Sequence, residues 1–290
     1  MANSIALFKQ YVPLLDEVYK AASLTSVLDG APELARQGAN ANELIIQKIS
    51  MDGLANYSRN GGYVGGDVTL TNETVTCNFD RGRMFTVDEL DNAETAGIAF
   101  GSLAGEFIRT KVVPELDAFR LATYASASGI STVAGAALST GDAVVAAVRA
   151  AVNKFNEDEV PADQRYLFIS PTLYGLVQDL DTTKSKRVFE GLNVIETPQS
   201  RLYTAITQKD GTTEGQEAGG YAKGTGAKNI NFLLIHKPAV IQFQKHIAPK
   251  VITPEQNPDA DAWKFGYRNV GIADVYENKV AGIYLHKSTT

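Results

Sequence analysis

The sequence is poor in the residues that build disulfides and metal sites. It has one cysteine, Cys77, and three histidines among 290 residues, so it cannot form an internal disulfide or a thiolate metal cage. A single cysteine fits a reducing compartment. Lys and Arg number 27 against 33 Asp and Glu, for a net charge of −6. This balance argues against a nucleic-acid-binding protein, which needs concentrated positive charge to neutralise phosphates.

Long apolar runs and targeting segments are also lacking. No stretch approaches the roughly 20 apolar residues of a membrane span, and the N-terminal residues lack the basic and apolar regions of a secretory signal. We therefore expect a soluble intracellular protein with no membrane partner. The content of 44% hydrophobic and 21% charged residues is ordinary for one large domain or two small ones.

Motifs for catalysis, metal binding and cofactor binding are lacking as well. The histidines at 236, 246 and 286 have no HxxxH or HExxH spacing, and neither Gly-Lys nor GxSxG occurs. Histidines in or beside strands favour structural roles, and Cys77 alternates with apolar neighbours, which favours a small buried side chain. We expect no catalytic, metal or cofactor-binding residues, and thus no enzyme.

Residues 43–85 have the pattern of a long hairpin with little to bury. ELIIQKIS predicts one strand, and the alternation in DVTL and TVTCNF predicts a second. The apolar positions change from even to odd near residues 72–74, which predicts a β-bulge. Residues 56–67, between the strands, include four glycines. Because an isolated hairpin is marginal in water, this one needs a neighbouring surface.

A long helix is predicted after the hairpin. Thr86 and Glu89 have the spacing of a capping box, and the acidic residues that follow suit a helix start better than a cation site. Apolar residues at helical spacing continue to about residue 126. Proline lacks an N–H and clashes with the preceding turn, so Pro114 predicts a bend near residues 109–113.

From residue 139 helices and strands alternate. Ser139 or Thr140 can cap a helix, YLFIS predicts a buried strand, and Ser170-Pro171 can begin a short helix. Segment 207–228 has six glycines and almost no aliphatic residues, which favours a functional or mobile loop. INFLLIH and AVIQFQ predict further strands. The order of elements is α+β.

Residues 1–40 leave two interpretations open. Apolar residues at helical spacing between Leu7 and Val18 predict a helix interrupted at Pro13, followed by an extended linker. The helix can pack on its own domain, or it can be an arm that contacts another subunit. An arm, a projecting hairpin, an overlong helix and a mobile loop make sense together if neighbouring copies supply the missing contacts.

Four segments, taken in order, carry a family resemblance. They are RGRMFTVDELDNAETAG, FIRTKVVPELDAFRLATYAS, NEDEVPADQRYLFISPTLYGLV, and NINFLLIHKPAVIQFQKH with the closing residues 259–287. Their order and spacing resemble the tailed-bacteriophage major capsid protein family, whose fold is shared with encapsulin shells. The resemblance implies an α+β fold with an N-terminal arm (1–36), an extended β-hairpin loop (37–85), a peripheral domain with a long spine helix (86–127 and 236–290) and an axial domain (128–235).

The implied function is that of a major capsid protein. Many copies, in pentamers and hexamers, would self-assemble in the bacterial host cytoplasm into the icosahedral head of the virion around double-stranded DNA. The implied partners are other copies, a portal, and a scaffolding protein that we expect to be separate because Met1 opens directly into the arm. The DNA is non-specific cargo, and the negative charge suits a wall that encloses it. Procapsid maturation would move the hairpin and the helix bend.

The resemblance also implies contact residues. They are Tyr57, Arg59, Asn60 and Tyr63 at the hairpin tip, Pro114 at the bend of the spine helix, and Gly211, Gly215, Gly219 and Gly220 in an axial loop that faces the ring centre. Two alternatives stand beside this reading. An encapsulin-like nanocompartment shell has the same fold and encloses a cargo protein, and a soluble enzyme or carbohydrate-binding protein would not assemble.

Overall fold

A computed structural model describes residues 23–30, 36–37, 43–89, 98–180 and 182–289. The helix predicted before residue 19 lies outside them. The chain is 33% helical and 34% strand, which confirms the α+β class. None of the helices in the described part is long and apolar enough to cross a bilayer.

In chain order the strands are β1 (Arg36–Gln37), β2 (Glu43–Met51), β3 (Val68–Thr76), β4 (Phe79–Asp88), β5 (Ser131–Val133), β6 (Arg165–Ile169), β7 (Asn193–Glu196), β8 (Ile206–Gln208), β9 (Tyr221–Lys223), β10 (Ile230–His236), β11 (Val240–Ile252), β12 (Ala262–Val275) and β13 (Ile283–Lys287). The α-helices are α1 (Ile98–Phe107), α2 (Val113–Ser126), α3 (Gly141–Glu157), α4 (Pro171–Gln178) and α5 (Thr183–Phe189). A π-helix, Ile108–Val112, joins α1 to α2, and these three pieces form the spine helix.

The larger sheet has five strands in the order β5-β13-β10-β6-β7. β10 lies at its centre, antiparallel to β6 and β13, while the edge strands β5 and β7 run parallel to their neighbours. Every residue of β10 is buried, because both faces of the sheet are covered. The strands predicted from YLFIS and INFLLIH are therefore confirmed.

Helices α3, α4 and α5 cover one face of this sheet. The Thr140 hydroxyl accepts a hydrogen bond from the Ala143 N–H and caps α3, as predicted. Val144, Val148 and Phe155 of α3 pack on the apolar side chains of β6 and β10. α4 begins at Pro171 after Ser170, the predicted position, although the Ser170 side chain makes no capping hydrogen bond.

The second sheet has three long antiparallel strands in the order β11-β12-β4. The spine helix packs on it. Ile108, Val113 and Leu116 of the spine helix meet Phe79 of β4 and Phe265 of β12 in one buried cluster. Burial of this apolar face stabilises the helix in place of strong local propensity.

The predicted start of the spine helix is wrong. Thr86 is not a helix cap, because it lies in β4 opposite Lys264 of β12. β4 continues to Asp88, and the Glu89 carboxylate accepts a hydrogen bond from the indole N–H of Trp263. The pairing of ten residues of β4 with β12 outweighs a local capping pattern. Residues 90–97 lie outside the described part.

The spine helix changes its winding just before Pro114. The Val113 N–H bonds to the Ile108 carbonyl five residues back, and Pro114 lies in the first turn of α2. A wider turn avoids the clash of the proline ring with the carbonyl four residues earlier. The irregularity falls within the segment where the sequence predicts a bend.

Two predicted domain boundaries need correction. Residues 23–30, assigned to the N-terminal arm (1–36), pack against the body of their own chain, which was the other interpretation left open, and Leu28 joins the core beside Leu121 and Phe168. β13, assigned with the rest of 236–290 to the peripheral domain, pairs with β5 and β10 and completes the five-stranded sheet. Both corrections arise from long-range pairing that a local sequence pattern does not contain.

Candidate inter-subunit surfaces

The hairpin β2–β3 contacts the rest of the described chain near its base. Val75 packs there with Ile241 and Ile272, and Cys77 is half-buried against the same cluster. The pairing of β2 with β3 runs without a register shift from Glu43 opposite Thr76 to Met51 opposite Val68. The predicted bulge at residues 72–74 is therefore wrong.

The apolar residues of β3 change from even to odd positions for another reason. Val75 faces the body on the odd side of β3, whereas Val68 and Leu70 lie on the even side, because successive side chains of a strand alternate. Leu70 lies opposite Ile49, and Val68 lies opposite Met51. The exposed fractions of these four side chains are 57% for Leu70, 59% for Ile49, 71% for Val68 and 67% for Met51. They form an apolar surface, named here the hairpin face.

The hairpin tip presents two aromatic rings to solvent. A turn is closed by mutual backbone hydrogen bonds between Ser58 and Gly62, and it brings the rings of Tyr57 and Tyr63 to a centroid distance of 4.9 Å. Arg59 and Asn60 are exposed at the same turn. The four predicted tip residues are thus adjacent and exposed, and the sequence did not reveal the hairpin face beside them.

Exposed apolar side chains are concentrated in this hairpin. Of the ten large apolar side chains that are exposed in the described part of the chain, eight lie within residues 49–70. Contiguous exposed apolar surface is uncommon in monomeric proteins and marks interaction sites. The hairpin is therefore the strongest candidate interface in the described chain.

The loop between β8 and β9 is more ordered than its composition suggests. Gly211, Gly215, Gly219 and Gly220 all have positive φ values between 66° and 80°, a region that glycine occupies without strain. The Thr213 hydroxyl and the Thr213 and Thr212 N–H groups donate hydrogen bonds to the Asp210 carboxylate. These bonds lower the pKa of Asp210 to about 2, and they fix the turn.

This loop is also bound to β4. The Arg81 guanidinium donates to the Lys209 carbonyl at 2.7 Å and pairs with the Glu115 carboxylate of α2 at 2.8 Å. Arg83 donates to the Glu217 carbonyl at 2.9 Å. The loop therefore contacts β4 of its own chain. Its position at a ring centre stays a prediction.

A cavity of about 940 Å³ lies under the loop, between β4, β12 and the π-helix. Its walls combine aromatic side chains such as Phe107 and Tyr203 with charged ones such as Arg83 and Lys111. The Asn269 amide is 1% exposed at the wall and finds no hydrogen-bond partner within the described part of the chain. The loop thus bridges an open space and does not pack into a continuous core.

His236 and His286 are both buried in the structure. Burial lowers the pKa of His286, whose Nδ1 lies 3.1 Å from the Asn231 amide and whose ring stacks on Phe232. Burial also lowers the pKa of His236. Within those ranges no group of three or more His, Cys, Asp or Glu side chains could hold a metal ion.

Comparison with known proteins gives a fold but no close relative. No protein-family model matches the sequence, and no curated protein sequence matches it. Among solved structures, the virus-like particle from Pyrococcus furiosus aligns with a TM-score of 0.60 at 12% identity, over 96% of this chain and 98% of that one. Gordonia phage Cozz gives 0.60 at 11% identity over 93% and 87%, and the capsid of cyanophage P-SCSP1u gives 0.57 at 14% over 88% and 86%.

These alignments cover most of both chains in each pair, so the likeness concerns the whole fold. The chain therefore shares the overall fold of these capsid and virus-like-particle chains, and its own elements are a spine helix, a sheet of three long strands and a second α+β unit. More narrowly, the chain has the phage major-capsid fold, which the archaeal virus-like particle also shows. The resemblance inferred from the four sequence segments is confirmed at the level of fold.

Proposed function

We propose that this protein is a major capsid protein, the structural subunit of the icosahedral head of a tailed bacteriophage that encloses double-stranded DNA. The observation that carries the proposal is the hairpin face, an apolar surface that stays exposed among the described residues of its chain, on a protein with the phage major-capsid fold. In this role the protein is not an enzyme.

The hairpin is proposed to lie on a neighbouring subunit. Full burial of an exposed Leu, Ile, Val or Met side chain contributes roughly 1.5–3 kcal/mol. Even partial burial of four such side chains per subunit, repeated around a closed shell, gives large collective stability. Tyr57 and Tyr63 at the tip can extend the contact, with Arg59 and Asn60 at its polar edge.

Other copies in pentamers and hexamers are then the main partners. Scaffolding protein, portal and packaged DNA follow from the same proposal, with assembly in the bacterial host cytoplasm and the virion as the final location. Expansion during maturation would act at the spine helix near Pro114, where the winding already departs from an α-helix.

A second candidate is an encapsulin-like compartment that encloses a protein. It is supported by the alignment with the archaeal virus-like particle, which covers 96% of this chain. Electron microscopy of purified particles separates the two, because a phage head holds DNA and carries a portal, whereas a compartment holds protein. Portal and terminase genes next to the coding gene would favour the phage head.

The hairpin face gives a direct test of assembly. In the double variant Ile49→Glu/Leu70→Lys the paired positions carry opposite charges, so the hairpin itself stays paired. We expect this variant to remain unassembled in electron microscopy and light scattering. Its thermal unfolding should change little, because both side chains are exposed in the single subunit.

The matched control is Ser50→Glu/Thr69→Lys. Ser50 and Thr69 are also cross-strand partners, one residue along on the opposite side of the hairpin. This control should form shells like the unaltered protein. Equal assembly of both variants would refute the role of the hairpin face, and an unaltered chain that stays monomeric with scaffolding protein present would refute the proposal as a whole.

A further inference from the structure

Residues 23–30 are held to the spine helix by an unusual density of hydrogen bonds. The centre of this network is Asp117 of α2, whose side chain is 0% exposed. Its Oδ1 accepts from the hydroxyls of Ser23 and Thr25, both at 2.7 Å, and from the Thr25 N–H at 3.3 Å. Its Oδ2 accepts from the Leu24 N–H at 3.0 Å. One short segment thus supplies four donors to one buried carboxylate.

A second set of contacts holds the same segment from the other side. The buried Gln242 amide of β11 donates to the Thr25 carbonyl and to the Asp29 carboxylate, both at 2.7 Å. The Gly30 N–H donates to the Gln242 carbonyl at 3.0 Å. Arg120 of α2 donates to the Thr25 hydroxyl at 2.9 Å. The segment is therefore fastened along its length to both α2 and β11.

The Asp117 carboxylate has one further partner. Arg201, in the 3-10 helix Gln199–Arg201, donates to Oδ2 at 2.9 Å. In the chain that helix lies between β7 and β8. Residues 23–25 and the 3-10 helix Gln199–Arg201 therefore meet at one carboxylate, that of Asp117. A buried carboxylate that loses some of its donors is strongly destabilised, so the contacts on its two oxygens depend on each other.

We propose that residues 23–30 form an intramolecular clasp on the spine helix, closed at Asp117, and that this carboxylate couples the clasp to the 3-10 helix at Arg201. The clasp then fixes residues 23–30 against α2 and β11. When the clasp opens, residues 23–30 separate from α2, and the 3-10 helix Gln199–Arg201 loosens in the same step. The clasp belongs to the single chain and holds whether or not the chain builds a shell.

Hydrogen exchange on the unassembled full-length chain tests the clasp. The Leu24 and Thr25 amides should exchange slowly, and Thr25→Val should speed their exchange at least tenfold, because valine keeps the shape and removes the hydroxyl. The control Thr123→Val removes a hydroxyl from α2, the helix that carries Asp117, and that hydroxyl donates to the Phe119 carbonyl and to no other described residue. It should leave both amides unchanged. Fast exchange of Leu24 and Thr25 in the unaltered chain would overturn the clasp.

Coupling has a separate test. Arg201→Gln should speed exchange of the Leu24 and Thr25 amides about tenfold, and Thr25→Val should in turn speed exchange of the Arg201 and Leu202 amides, since coupling between two sites is reciprocal. Asp117→Asn should loosen both regions together. If it prevents folding, the Thr25 and Arg201 variants still decide the matter. Loosening confined to the altered region would refute the coupling and leave the clasp standing.

Discussion

At the scale of single residues, polar side chains in unusual positions are the most informative. Asp117, Arg120 and Tyr124 lie three and four positions apart on the buried side of α2, where the helical pattern calls for apolar residues. This is the one sequence signal that could have indicated the clasp. The segment that binds Asp117 and Arg120, Ser23 to Gly30, has no distinctive pattern of its own.

Tyr124 gives a prediction for alkaline conditions. Its hydroxyl donates to the Gln242 side-chain carbonyl at 2.7 Å, and complete burial raises its pKa. The phenol thus ionises at higher pH when folded than when unfolded. Its contribution to the free energy of unfolding is complete below about pH 10, the ordinary tyrosine value, and is lost as the pH rises above it.

We therefore expect urea denaturation to show a free energy of unfolding that falls between pH 9 and pH 11, and that falls less steeply in Tyr124→Phe. The free energy of unfolding of Tyr124→Phe should also be about 1–3 kcal/mol lower at pH 7, because the side-chain carbonyl of Gln242 loses its donor. Tyr57→Phe, at the exposed tip, is the control and should match the unaltered protein. The same slope in all three proteins would contradict this account of Tyr124.

At the scale of elements, the sequence predicted strands and helices best where the pattern and the packing agree. α3 begins after Thr140, and β6 and β10 are apolar runs buried on both faces. The predictions failed where pairing with a strand distant in the sequence determines the local structure. The capping pattern at Thr86 is overridden by pairing with β12, and the parity change in β3 marks two different faces and not a bulge.

The β8–β9 loop supplies a prediction at this scale. Arg81→Ala removes the hydrogen bond to the Lys209 carbonyl and leaves the largely buried Glu115 without its ion-pair partner. We expect a loss of about 1–3 kcal/mol in the free energy of unfolding, with faster proteolysis within residues 209–220. Arg83→Ala removes one exposed hydrogen bond and should cost at most about 0.5 kcal/mol. Equal effects would mean that the ion pair with Glu115 does not anchor the loop.

At the scale of the whole molecule, the order of segments was predicted and their boundaries were not. The sequence indicated an α+β chain with a long hairpin and a spine helix, and the fold agrees. Sequence reasoning placed residues 23–30 in the arm and all of 236–290 in the peripheral domain, because local patterns do not contain long-range pairing. In the structure residues 23–30 pack on the core of their own chain, and β13 joins the five-stranded sheet.

The place of β13 in the larger sheet has a consequence for the order of folding. This strand lies between β5 and β10, and β5 pairs with no other described strand of that sheet than β13. The edge strand β5 can therefore join the sheet only after β13 is in place, and the long stretch of chain between the two makes that closure slow. In pulse-labelled refolding, the β5 amides should gain protection from hydrogen exchange no earlier than the β13 amides, and earlier protection of β5 would contradict this order. A folding chain would then keep an open sheet edge until this pairing forms.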